Sequence, residues 1–140
     1  MNTKITLSES TPALAAFPKT RRLLKPADYR RVFESVDCKQ GGSFFTFLSR
    51  SNTLDRSRIG LVVAKRHAPK AVTRNRVKRC LRESFRSKTT ILTKLEPQFD
   101  LVVLVKPGID QLDKQKLRRE LEKQWLKFIN KRRTLQQESP

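Results

Sequence analysis

The chain of 140 residues is poor in acids, histidine, glycine and cysteine, and each shortage removes a class of chemistry. His67 is the single histidine, so no two-histidine acid–base pair can be built. It stands among Lys65, Arg66 and Lys70 in the sequence. The 13 Asp and Glu are scattered and form no cluster of the kind a two-metal site requires. The four glycines contain neither a GxGxxG nor a Walker loop. Cys38 and Cys80 are too few and too far apart for a zinc site or a disulfide framework, and two isolated cysteines suit a reducing, cytoplasmic setting. No apolar run approaches the roughly 20 residues of a membrane-spanning helix.

What is abundant is positive charge: 32 Lys and Arg against the 13 acids, a net charge of +19. Such an imbalance is the footprint of a polyanion partner. Nucleic acid leads, because each phosphate contact releases counterions. An anionic membrane surface is the other polyanion, set aside because the charge is concentrated on a helix and no terminal lipidation signal accompanies it. The hydrophobic content, 36%, is low but gathered into a few runs, which suits one folded domain with charged edges rather than disorder.

The ordered domain is expected over residues 21–131, between flexible tails at 1–20 and 132–140. The first segment is Ser/Thr-rich and lacks the basic and apolar regions of a signal peptide; a disordered tail fits it better than an organelle transit peptide. "KPADYRRVFESV" reads as a helix, with Pro26 at its first position and Tyr29, Val32, Phe33 and Val36 on one face. "FFTFLSR" reads as a strand with Phe45 and Phe47 on one side and Phe44, Thr46 and Leu48 on the other. "RIGLVVAK" reads as a second strand, apolar on both faces and therefore central. A helix beginning between Ala68 and Arg74 carries Val77, Cys80, Leu81, Ser84 and Phe85 as its apolar stripe. "FDLVVLVKP" is a third strand, and Asp113 can cap a last helix whose Leu117, Leu121, Trp125 and Phe128 share a face. The order is α-β-β-α-β-α, with room for a further short strand between Cys38 and Ser43, an α+β domain.

Cations crowd one stretch, "TRNRVKRCLRESFR" (Thr73 to Arg86), with Glu83 its single acid. Arg74, Lys78 and Arg82 fall four apart, in one row; Arg76, Arg79 and Arg86 spread over the side away from the apolar stripe. A merely soluble helix usually mixes signs, so this one is expected to hold a polyanion. Arginine dominates, and its planar fork grips phosphate oxygens bidentately and stacks on bases. Asn75 adds a donor and an acceptor, although such a residue is more often a cap or plain surface. Tyr29, Phe33, Phe45 and Phe47 are aromatics of the kind usually spent on core packing. Beside a basic helix, however, an exposed aromatic sheet face holds single-stranded RNA by stacking plus phosphate contacts. The residues favour binding over bond-breaking by this chain alone.

Four stretches resemble the protein subunit of bacterial ribonuclease P: "RLLKPADYRRVF", "RIGLVVAKRHAPKAVTRNRVKRCLRESFR", "FDLVVLVKPG" and "LDKQKLRRELEKQWLKF", between residues 22 and 128. The central one carries the signature, Arg74-Asn75-Arg76 inside a K-x(8)-R-N-R-x-K-R-x-x-R frame. The resemblance implies an α-β-β-β-α-β-α sandwich with a four-stranded sheet and a left-handed βαβ crossover, a ribosomal-protein-like fold against the usual right-handed rule. It implies a partner, a large catalytic RNA that cleaves the 5′ leader from precursor tRNA with bound Mg2+, and a protein that binds the leader and improves substrate and metal affinity. No DNA or membrane partner is implied. Carried onto this chain, the catalytic RNA is expected at Lys65, Arg66, Arg74, Asn75, Arg76, Arg79 and Arg86, and the leader in a cleft of Tyr29, Phe33, Phe47, Lys78 and Arg82, with Arg74 in the row bordering it. No catalytic or metal-ligating residue is expected in the protein. The chain departs from its relatives at Tyr29, where many have Phe, at His67-Ala68-Pro69, where Gly is common, and in its long N-terminal segment. A structural RNA-binding protein, such as a ribosomal protein, is the alternative that composition alone leaves open.

Overall fold

In the computed structural model, which describes residues 19–138, the elements run α1 (Pro26–Glu34), β1 (Cys38–Gly41), β2 (Phe45–Ser51), β3 (Arg58–Val62), α2 (Ala71–Ser87), a one-turn α3 (Thr89–Leu92), β4 (Phe99–Val105) and α4 (Lys114–Glu138). The strands form one sheet in the order β1-β2-β4-β3. β1 pairs antiparallel with β2, and β2 with β4, whereas β3 and β4 are parallel and joined through α2. This is the expected α+β architecture, with α3 added inside the connection "SKTTILTKLEP".

Strand alternation divides the apolar residues between two layers. Phe45 and Phe47 of β2 and Phe99, Leu101, Val103 and Val105 of β4 face a core completed by Val77, Cys80, Leu81 and Phe85 of α2 and Leu117, Leu121, Trp125 and Phe128 of α4. Phe47 is its centre, edge-on to Trp125 at 4.9 Å and to Phe128 at 5.4 Å. The other sheet face presents Leu48, Val102 and Leu104 to Leu23, Tyr29 and Val32. One short helix, α1, covers that face, and Val62 at its border is left exposed.

Polar locks hold the layers in register. Arg58 grips Asp100 with both ends of its fork, Nε to Oδ1 at 2.9 Å and Nη2 to Oδ2 at 2.7 Å. Asn52 donates to the same carboxylate at 2.9 Å, and Asp28 of α1 lies 3.8 Å from the guanidinium. Paired charges of this sort tolerate burial that a lone charge would not. Before α4, the Asp113 carboxylate accepts the Lys116 amide at 2.8 Å, as a helix cap does.

Two expectations change. β3 is an edge strand, not a central one. Both its faces can be apolar because α2 lies against one, and the segment before α1 closes its outer edge through a parallel bridge from Arg22 to Ile59. The C-terminal tail placed at 132–140 is instead helix through Glu138. Arg132, 5% exposed, anchors it by donating to Asp37 at 2.7 Å, Ser49 at 2.9 Å and Ser51 at 3.2 Å while covering the Phe99 ring. The N-terminal tail placed at 1–20 lies, up to residue 18, outside the described residues.

Candidate nucleic-acid interface

Registered rows of β2, β4 and β3 make the floor of the α1 side: Leu48–Val102–Gly60, then Thr46–Leu104–Val62. Gly60 has no side chain to hold Tyr29 away, so the ring packs directly on the β3 backbone. One turn further along α1, Phe33 is 47% exposed, an aromatic face that no core claims. Arg82 of α2 comes close enough to Tyr29 and to Arg22 to feel both. Burial lowers the Arg82 pKa most, the Arg22 charge lowers it further, and the Tyr29 phenol opposes them. The guanidinium remains charged at neutral pH. Tyr29 and Phe33, one turn apart on α1, and Arg82 of α2 thus stand beside a sheet face whose outer row, Thr46, Leu104 and Val62, stays partly exposed.

The remaining predicted residues divide by what already holds them. Lys65 and Arg66 are exposed in the turn after β3, and His67 beside them places Nδ1 3.1 Å from the Val105 carbonyl. Arg74 is turned back, Nη1 donating to the Ala68 and Pro69 carbonyls at 2.9 Å each; it shapes the loop entering α2. Arg76 reaches the segment before α4, Nη2 donating to the Leu112 carbonyl at 3.2 Å. Asn75 and Arg79 are exposed, while Lys78 and Arg86 are half-buried. α2 therefore offers cations on both sides of its core stripe.

Phe47 is the correction. It is 0% exposed, enclosed by Trp125 and Phe128 on the face opposite α1, and no base can reach it. The strand period carries the reason: Phe45 and Phe47 share a side, and α2 and α4 fill it. The residues of β2 that face α1 are Thr46 and Leu48. They were legible as the opposite side of the strand, but not as the side left open. Gly60 and Arg22 were missed as well. The only available signal for Gly60 was a glycine inside an otherwise apolar strand, which marks a close approach.

The family model for ribonuclease P matches residues 17–129. The chain is 40% identical over 117 residues to the ribonuclease P protein component of Marinobacter nauticus, covering 84% of this chain and 85% of that one. It is 46% identical over 110 residues to that of Pectobacterium atrosepticum, covering 79% and 88%. Among solved structures, the RNase P protein of Thermotoga maritima superposes with a TM-score of 0.61 at 29% identity, over 73% of this chain and 92% of that one. The Staphylococcus aureus RNase P protein shares the fold with a TM-score of 0.66 at 24% identity, over 77% and 94%. With a family model covering most of the chain and relatives matched over most of their own length, this chain belongs to the ribonuclease P protein component family.

Proposed function

We propose that this chain is the RNA-binding subunit of ribonuclease P, holding the catalytic RNA on α2 and the single-stranded 5′ leader of precursor tRNA in the cleft between α1 and α2. The observation that supports this reading is that exposed Phe33, Tyr29 on Gly60 and the Arg82 cation stand beside the partly exposed row of Thr46, Leu104 and Val62. Stacking faces beside a cation are what a single strand needs, since every base has a π-face and every linkage a charge. Lys78 joins Arg82 on the leader side. Lys65, Arg66, Asn75, Arg79 and Arg86, with Arg74 and Arg76 where their forks are not already engaged, serve the catalytic RNA.

Bond cleavage belongs to the partner RNA in this proposal. In this proposal Mg2+ is held by the partner RNA; among the described residues no three or more His, Cys, Asp and Glu gather as metal ligands. The chain's contribution is positional: it adds phosphate contacts to the substrate and lowers the repulsion between two RNAs, which raises substrate and metal affinity together. Reconstitution tests the proposal. The purified chain should leave precursor tRNA uncut, and adding the matching RNA should give cleavage at lower Mg2+ than the RNA alone requires. Cleavage by the protein without any RNA would refute it.

A further inference from the structure

A second basic concavity, of about 330 Å³, opens beside β3 between the segment before α1 and the β2–β3 connection. Lys19, Arg22, Lys25, Arg56 and Arg58 line it, with Asp28 their only acid. That acid is occupied, 3.8 Å from Arg58 and 3.7 Å from Arg31. Arg58 is matched by Asp100, and Arg56 meets Asp55 at 3.0 Å. Lys19 and Lys25 therefore carry surplus charge, and both are exposed.

The fold brings these cations together at a cost. Arg56 donates to the Thr20 carbonyl at 2.8 Å, which draws Lys19–Arg21 onto the connection. There Arg21 has its pKa lowered by burial and by the Arg56 charge. Like charges so placed oppose folding, and a polyanion would relieve them. Exposed Leu24 supplies an apolar surface in the same concavity. Arg22 connects the two places: it lines this concavity and bridges Ile59, the neighbour of the Gly60 on which Tyr29 packs.

We propose that a single-stranded leader leaving the cleft passes Arg22 and continues into this concavity, its phosphates on Lys19 and Lys25 and a base against Leu24. The inference rests on the leader reading above and extends it to a further subsite, one that would be felt only by longer leaders.

The test is the affinity of the reconstituted holoenzyme for precursor tRNA with a leader of about ten nucleotides, within the range of single-strand sites, and with one of about two, below it. The double variant K19Q/K25Q removes two exposed cations without touching the core. For the long leader its affinity should fall about tenfold and its salt slope by about 1.4, the counterion term for two contacts on a single strand, with the short leader unaffected. K116Q/K127Q, an equal loss of charge on exposed positions of α4, should leave both unchanged. An equal loss on both leaders, or on neither, would overturn the subsite while leaving the cleft intact. Wild-type indifference to leader length would instead overturn the cleft reading, and the subsite with it.

Discussion

The ring of Tyr29 rests on Gly60 so closely that a Cβ at residue 60 would lie 2.6 Å from Cε2 of the ring. That distance ties the position of α1, and with it Phe33, to one missing methyl group on β3. Gly60→Ala must push the ring out or lift the helix. Overpacking of this kind costs about 1–3 kcal/mol. A urea melt should show that loss, and leader affinity should drop with it; an unchanged melt would mean that α1 is not held by this contact.

Phe33 and Phe47 should behave in opposite ways. Phe47→Ala empties the centre of a packed aromatic group and should cost about 3–5 kcal/mol of stability. Phe33→Ala removes an exposed ring, so stability should change by less than about 0.5 kcal/mol, while leader affinity should fall by about 1–3 kcal/mol for a lost stacking partner. Paired denaturation and binding curves on the two variants check both halves.

Arg76 and Arg79 are separated by a single turn yet differ in what they hold. Arg79 is exposed, so Arg79→Ala should weaken binding of the catalytic RNA and leave the melting temperature unchanged. Arg76 donates to the Leu112 carbonyl, a charged hydrogen bond worth about 1.5–3 kcal/mol. Arg76→Ala should therefore lower both stability and RNA affinity. Equal melting temperatures for the two variants would show the Leu112 tether to be unimportant.

Both cysteine thiols have raised pKa values: Cys38 by burial first, against the pull of Arg132, and Cys80 by burial first and then by Glu83. In the folded chain they remain protonated where an unfolded thiol has begun to ionise. Their contribution to stability is thus complete below the ordinary thiol pKa and is lost as pH climbs through the raised folded values. A thiol reagent at neutral pH should label the native protein far more slowly than the denatured one. The stability gap between the wild type and Cys80→Ala should narrow in the alkaline range.

The sequence displayed what periodicity can display. The stripe of Val77, Cys80, Leu81 and Phe85 is the buried face of α2, and Phe45 and Phe47 do share a side. Alternation assigns two sides to a strand without saying which one a second helix will cover, so it offers no check on the cleft position that the resemblance gives Phe47. β1 escaped periodicity because it is four residues long, mostly polar and bordered by α4, whose Gln124 donates to the Gln40 carbonyl at 2.7 Å. The end of α4 reads as polar tail because its anchor is an arginine: Arg132 is buried through hydrogen bonds to Asp37, Ser49 and Ser51, which no hydropathy pattern records. The basic concavity at Lys19 and Lys25 needed the Arg22–Ile59 bridge to form, a pairing with no local signature.

The most direct test of the central claim, that α1 and α2 together hold the leader, is a thermodynamic cycle on the holoenzyme. Affinity for precursor tRNA would be measured with and without the leader, for the wild type, Phe33→Ala and Arg82→Ala. The account predicts that trimming the leader weakens wild-type binding and that each variant loses affinity only when the leader is present. Losses of equal size with and without the leader would contradict it.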